Sequence, residues 1–117
     1  HDNLKHLGDK VEVLQGEAAM LLSELQDETF DAIFIDADKT GYPKYLDFAE
    51  QRLRKGGLVI ADNTFIWGTI FEDEPPLKNP QIWHAMKEFN ERLADQSKFS
   101  SVIIPTKEGL SVAIKEF

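Results

Sequence analysis

Two short apolar runs, each ending abruptly in side-chain oxygens, constrain this chain more than anything else in it. Residues 30–35 (FDAIFI) lead into Asp36-Ala37-Asp38-Lys39, and residues 58–61 (LVIA) lead into Asp62-Asn63. Runs this short and apolar read as strands covered on both faces, the habit of parallel sheets. Between them Pro43 can open a helix with Tyr42, Tyr45, Leu46, Ala49 and Leu53 on one face, and Gly56-Gly57 can stop it. Strand, helix and strand in that order make a parallel crossover, so both oxygen-rich clusters emerge at the same edge of one sheet.

The flanking segments extend the alternation. Residues 10–15 (KVEVLQ) alternate polar and apolar, which predicts a short strand closed by Gly16. Over residues 17–27, Ala18, Leu21, Leu22 and Leu25 recur at helical spacing behind an acidic first turn. Residues 64–78 contain Gly68, Pro75, Pro76 and the run Glu72-Asp73-Glu74, a surface loop beside the strand ends. A third helix is predicted over 80–96, with Asn79 placed to cap it and Ile82, Trp83, Met86, Phe89 and Leu93 facing inward. Residues 99–105 and 110–115 then read as an antiparallel pair at a sheet edge, turning at Lys107-Glu108-Gly109. The expected fold class is α/β: a mostly parallel sheet with helices on both faces, closed by a C-terminal hairpin.

Composition narrows the function classes. With 117 residues there is room for one domain, and 42% hydrophobic residues can supply its core. Thirteen Lys and Arg against 21 Asp and Glu leave a net charge of −8, which argues against nucleic acid or an anionic membrane as partner. The absence of Cys removes disulfides, thiolate zinc sites and cysteine nucleophiles. A reducing cytoplasm fits, although a cysteine-free secreted protein would look the same. No apolar run approaches the roughly 20 residues that cross a bilayer. The opening His1-Asp2-Asn3-Leu4-Lys5 is no signal peptide and carries no initiator Met, so a piece of a longer protein is expected. His6 and His84 have no partner pattern that makes either a base.

In open α/β sheets ligands bind outside the carboxyl ends of the strands. Adjacent strands lie about 4.8 Å apart, so Asp36, Asp62 and Asn63 can share one divalent cation, and an all-oxygen set favours Mg²⁺, Ca²⁺ or Mn²⁺ over zinc. The bland reading is that these residues cap helices or solvate loops. Lys39, one residue past Asp38, can act as a general base if partly desolvated; otherwise it is a counter-ion for the acids.

These residues carry a resemblance. Phe30-Asp31-Ala32-Ile33-Phe34-Ile35-Asp36-Ala37-Asp38-Lys39, then Tyr42-Pro43-Lys44-Tyr45, then Arg54-Lys55-Gly56-Gly57-Leu58-Val59-Ile60-Ala61-Asp62-Asn63-Thr64 is similar to the metal-dependent O-methyltransferases of the caffeoyl-CoA and catechol type, from about Lys10 to the C-terminus. The resemblance implies a Rossmann-like methyltransferase sheet, a divalent cation on Asp36, Asp62 and Asn63, and Lys39 and Asp36 as catalytic residues. It places S-adenosylmethionine against Asp38 and Tyr45, with the loop carrying Gly16 and Ala18 on the adenine side. The implied acceptor is a small aromatic hydroxyl, catechol-like or phenolic. Such a diol would bind the cation through its oxygens while Lys39 removes a proton. A cytoplasmic location and a homo-oligomer are expected.

The family's glycine-rich cofactor loop and the acidic residue after its second strand have no counterpart, and none of the seven glycines forms a GxG pair. Residues 1–117 are therefore expected to be a single partial methyltransferase domain in which cofactor binding is weak or absent. Either the strand at Val11 pairs directly with the one at Ile33, or a second chain fills the gap. Phe65, Ile66, Trp67 and Gly68 fall on the family's lid, where Trp67 stacks on an aromatic acceptor or packs against the sheet edge. Two other readings remain: Asp36-Ala37-Asp38-Lys39-Thr40 also fits the DxDxT nucleophile pattern of haloacid-dehalogenase-type phosphatases, and a truncated domain could be a non-catalytic binding module.

Overall fold

The computed structural model describes residues 8, 10–12, 14–25 and 28–117. Its elements run α1 (Ala18–Ser23), β1 (Phe30–Ile35), a short 3₁₀ turn (Lys39–Gly41), α2 (Tyr42–Arg52), β2 (Leu53–Asp62), a second 3₁₀ segment (Ile66–Phe71), α3 (Pro80–Leu93), β3 (Phe99–Ile104) and β4 (Leu110–Lys115). One four-stranded sheet has the order β1-β2-β4-β3. The β1/β2 pair is parallel, and the β2/β4 and β3/β4 pairs are antiparallel. The α/β class, the parallel crossover and the closing hairpin all match the sequence reading.

One face of the sheet holds the core. Ile35, Val59, Ala61 and Ala113 are buried there beneath Tyr42, Leu46 and Ala49 of α2 and Met86, Phe89 and Leu93 of α3. Burying each of the larger side chains contributes about 1.5–3 kcal/mol. Arg92 ties the two helices together: its guanidinium donates to the Pro43 carbonyl at 3.1 Å and pairs with Asp47 at 2.8 Å and Glu50 at 3.1 Å. That clamp fixes the first turn of α2 at the end of the sheet where the acids lie.

The other face departs from expectation. In register across the sheet run Ala32, Leu58, Ile114 and Ser100, then Phe34, Ile60, Val112 and Val102. Phe34 and Val102 are each 61% exposed, and no element among the described residues buries this face. The helices lie on one side because α2 and α3 pack on each other, while α1 lies against α2 beside the β1 edge.

Four local expectations need correction. Residues 11, 12, 14 and 15 form no strand, and Val13 lies outside the described residues. Their alternation finds no neighbour to pair with, and the outer edge of β1 has no partner strand among the described residues. The helix read over 17–27 is confined to Ala18–Ser23, with no acidic residue in its first turn. Gly56-Gly57 do not stop α2, which gives way to β2 at Leu53. They lie instead in an irregularity of the β1/β2 pairing, where Gly56 has φ +83° and a Cβ on Gly57 would sit 2.9 Å from the Asp31 carbonyl oxygen. Asn79 precedes α3 in a left-handed conformation (φ 54°) and makes no side-chain cap; Pro80 at the first helical position offers no N–H to cap.

Candidate functional site

The parallel register pairs Ile35 with Ala61. The next residues, Asp36 and Asp62, therefore leave adjacent strands at the same end of the sheet, with Asn63 beyond. Lys39 enters from the 3₁₀ turn after β1: its Nζ lies 3.9 Å from Asp36 Oδ1 and its side chain is 13% exposed. The same Nζ donates to the Tyr42 hydroxyl at 2.8 Å and sits 4.8 Å from the centre of that ring. Tyr42 in turn donates to the Asp62 carbonyl oxygen at 2.6 Å. The sequence reading treated Tyr42 as a core residue of α2; its only sequence signal as part of the site is its place three residues after Lys39.

The structure thus brings Asp36, Asp62, Asn63 and Lys39 to one sheet end. Asn63 adopts φ 56°, a left-handed conformation that asparagine accepts better than most residues. Its backbone N–H donates to Asp62 Oδ1 at 2.8 Å, whereas its own Oδ1 is buried without a hydrogen-bond partner. An unpaired buried carbonyl oxygen costs about 1–3 kcal/mol, and a hard cation is a partner that would satisfy it. The donor set fits a divalent ion. No group of three or more His, Cys, Asp or Glu among the described residues is placed to hold a metal ion, so a cation here needs the amide oxygen as well as the carboxylates.

Asp38 and Tyr45 are joined to each other. The Tyr45 hydroxyl donates to Asp38 Oδ1, and the Thr40 hydroxyl reaches Asp38 Oδ2 at 3.4 Å. Burial, then the hydrogen bond to Asp38 and its charge, push the Tyr45 phenol up to about 12. Beside this pair a cavity of about 180 Å³ is lined by Ala18, Leu22, Ile35, Asp36, Ala37 and Tyr45, among others. It is smaller than the roughly 300–1,000 Å³ of ordinary ligand pockets, so these residues can hold only part of a cofactor-sized molecule. Gly16, with φ +146°, is exposed and is not part of the lining.

Beyond Asn63 the chain is held by Thr64 and Phe65, whose N–H groups donate to the carbonyls of Gly109 and Glu108 in the β3/β4 turn. Ile66 and Trp67 then take positive φ values of 42° and 54°, an unfavourable conformation for a β-branched residue in particular. This turns Trp67 outward, 72% exposed, instead of packing it against the sheet edge. A second cavity, about 260 Å³, lies between Trp67 and Trp83 with Lys78 at its wall. Trp83 is half-buried against the core and donates to the Thr69 carbonyl at 3.1 Å. His84 is exposed, and His6 lies outside the described residues. No helix among the described residues is long and apolar enough to cross a membrane.

The O-methyltransferase family model matches residues 4–116. The chain is 32% identical over 114 residues to a catechol O-methyltransferase of Niastella koreensis, covering 92% of this chain and 51% of that protein. It is 26% identical over 95 residues to a probable caffeoyl-CoA O-methyltransferase of Dictyostelium discoideum, covering 81% of this chain and 40% of that one. Among solved structures, an O-methyltransferase from Bacillus cereus in complex with SAH superimposes with a TM-score of 0.86 at 29% identity, over 98% of this chain and 56% of that chain. The chain spans about half the length of the curated relatives it matches.

Proposed function

The chain belongs to the O-methyltransferase family, and on that premise we propose that it is part of a single S-adenosylmethionine-dependent O-methyltransferase domain that uses a divalent cation and acts on a small phenolic or catechol-like hydroxyl. The observation that carries this reading is the buried, unpartnered Asn63 Oδ1 next to Asp62, at the strand end where Asp36 and Lys39 also emerge.

In this reading Asp36, Asp62 and Asn63 would hold Mg²⁺, Ca²⁺ or Mn²⁺, whose charge lowers the pKa of an acceptor hydroxyl. Lys39, as the free amine, takes that hydroxyl proton onto Nζ, and its low exposure keeps bulk water from competing for the transfer. Ala18, Asp38 and Tyr45 border the space for the cofactor, which supplies the methyl group; Gly16 stands further out on the adenine side. Trp67 offers an exposed aromatic face on which an acceptor ring can stack. The net charge of −8 draws a cationic cofactor toward the chain, weakly and in a salt-dependent manner. In the phosphatase pattern Asp38 serves as acid and base, a role for which it is poorly free while Tyr45 and Thr40 occupy its carboxylate.

Calorimetric titration of the chain with Mg²⁺ or Mn²⁺, followed by S-adenosylhomocysteine, tests the proposal. Heat of metal binding that disappears in Asp62→Ala supports it, with cofactor heat weak beside that of a full-length relative. Absence of metal binding in the folded chain would leave only a non-catalytic relic of the domain.

A further inference from the structure

The Tyr42 ring is fully buried, packed edge-on against Phe89 with ring centres 5.2 Å apart, yet its hydroxyl reaches the candidate site. A phenol has one proton to give. Here it goes to the Asp62 carbonyl oxygen at 2.6 Å, with the Ile35 carbonyl more distant at 3.4 Å. Toward Lys39, 2.8 Å away, the oxygen can therefore act only as an acceptor. One Nζ–H is thus committed to Tyr42 in either protonation state of the lysine. The lone pair of the free amine cannot point at Tyr42; it and the remaining hydrogens are left to the other directions, where Asp36 Oδ1, an acceptor 3.9 Å away, draws an N–H.

We propose that Tyr42 is the positioning residue for the Lys39 amine: by accepting one Nζ–H while its own proton is held by the Asp62 carbonyl, it turns the remaining positions of Nζ toward the oxygen cluster at the ends of β1 and β2. This rests on the methyl-transfer reading only for its purpose, since the geometry exists without cofactor or acceptor. Tyr42 acts through the Lys39 amine and takes no proton itself. It couples the aim of the lysine to the backbone that carries Asp62, so that base and candidate metal ligands move as one unit.

The test is nitrogen-15 spectroscopy of the lysine side-chain ammonium groups in the 117-residue chain at mildly acid pH and low temperature, in the wild type and in Tyr42→Phe. The substitution keeps the buried ring and removes only the hydroxyl. Lys115 is the internal reference, because its buried Nζ donates to the Leu53 carbonyl at 2.8 Å, on a strand contact remote from Tyr42. Expected are protected signals from Lys39 and Lys115 in the wild type, and selective loss of the Lys39 signal in the variant. A Lys39 signal that survives the substitution overturns the proposal. Should the variant lose both signals, and with them its fold, the wild type decides: Lys39 protected like Lys115 upholds the assignment, and Lys39 exchanging like the exposed Lys44 overturns it. Failure to bind metal or S-adenosylhomocysteine would remove the methyl-transfer reading without altering these signals, so the two failures are distinguishable.

Discussion

Tyr45 and Asp38 are joined by a hydrogen bond across the first turn of α2, and Gly41 lies between them so closely that it has no room for a side chain. A Cβ there would fall 2.6 Å from Asp38 Oδ2 and 2.8 Å from the Tyr45 hydroxyl oxygen. The Gly41 backbone, at φ −84°, is one that alanine adopts freely, so Gly41→Ala isolates the steric effect. Overpacking of this kind costs about 1–3 kcal/mol, equivalent to about 4–8 °C of thermal midpoint for each kcal/mol. Calorimetry should show that loss. An unchanged midpoint would mean that the pair separates without penalty.

The chain has two tyrosines, Tyr42 and Tyr45, so tyrosinate absorbance reports this region alone. Burial first, then the negative charges of Asp36 and Asp62, raise the Tyr42 phenol far above its ordinary value. Tyr45 is held up to about 12 by burial and by Asp38. Both folded values are raised, so the stability they contribute is fully present below an unfolded value of about 10 and is lost as pH rises through the folded values. The expected titration shows almost no tyrosinate near pH 10 in the folded chain, followed by a steep rise near or above pH 12 that coincides with loss of helical circular dichroism. A normal phenolic titration at about pH 10 would contradict the burial of both hydroxyls.

That Asp36 and Asp62-Asn63 leave the same end of the sheet was legible because two apolar runs and an intervening helix leave little freedom in how a parallel crossover is built. The role of Tyr42 was not, because a tyrosine on the apolar face of a helix looks like core, and its hydroxyl partner is a backbone carbonyl that no side-chain pattern marks. The strand read over residues 10–15 is not formed at its described residues for a related reason: alternation describes only one side of a pairing. Gly56-Gly57 carry a helix-stop signature, but the positive φ of Gly56 and the close approach of the Asp31 carbonyl to Gly57 account for them better. Asn79 has the right residue type for a cap and the wrong backbone conformation. That no element among the described residues buries the second face of the sheet could not be foreseen from strands that read as covered on both sides.

That face has a measurable consequence. Phe34 and Val102 occupy the two edge strands of one apolar row, each 61% exposed. Phe34→Thr combined with Val102→Thr should lower the fluorescence of a bound hydrophobic dye several-fold while changing stability by no more than about 0.5 kcal/mol per site, the range of surface substitutions. Val59→Thr, on the covered face where Val59 is fully buried, should cost about 1–3 kcal/mol for its unpaired hydroxyl and leave dye binding as it was. Equal costs on the two faces would show that both are covered in solution.

Asn63 allows the cation to be separated from the scaffold. Its Oδ1 has no hydrogen-bond partner, its backbone has φ 56°, and its N–H bond to Asp62 Oδ1 belongs to the main chain. Glycine at this position would remove the orphan oxygen and relax the backbone while keeping that bond. Without metal, Asn63→Gly should therefore unfold no earlier than the wild type. In Mn²⁺ at about 100 times the dissociation constant the wild type should gain about 2.7 kcal/mol, seen as a raised midpoint that a chelator reverses. The glycine variant should lose most of that gain because one of three oxygen donors is gone. A wild-type midpoint indifferent to Mn²⁺, Mg²⁺ and Ca²⁺ would show that the buried oxygen is not there for a cation.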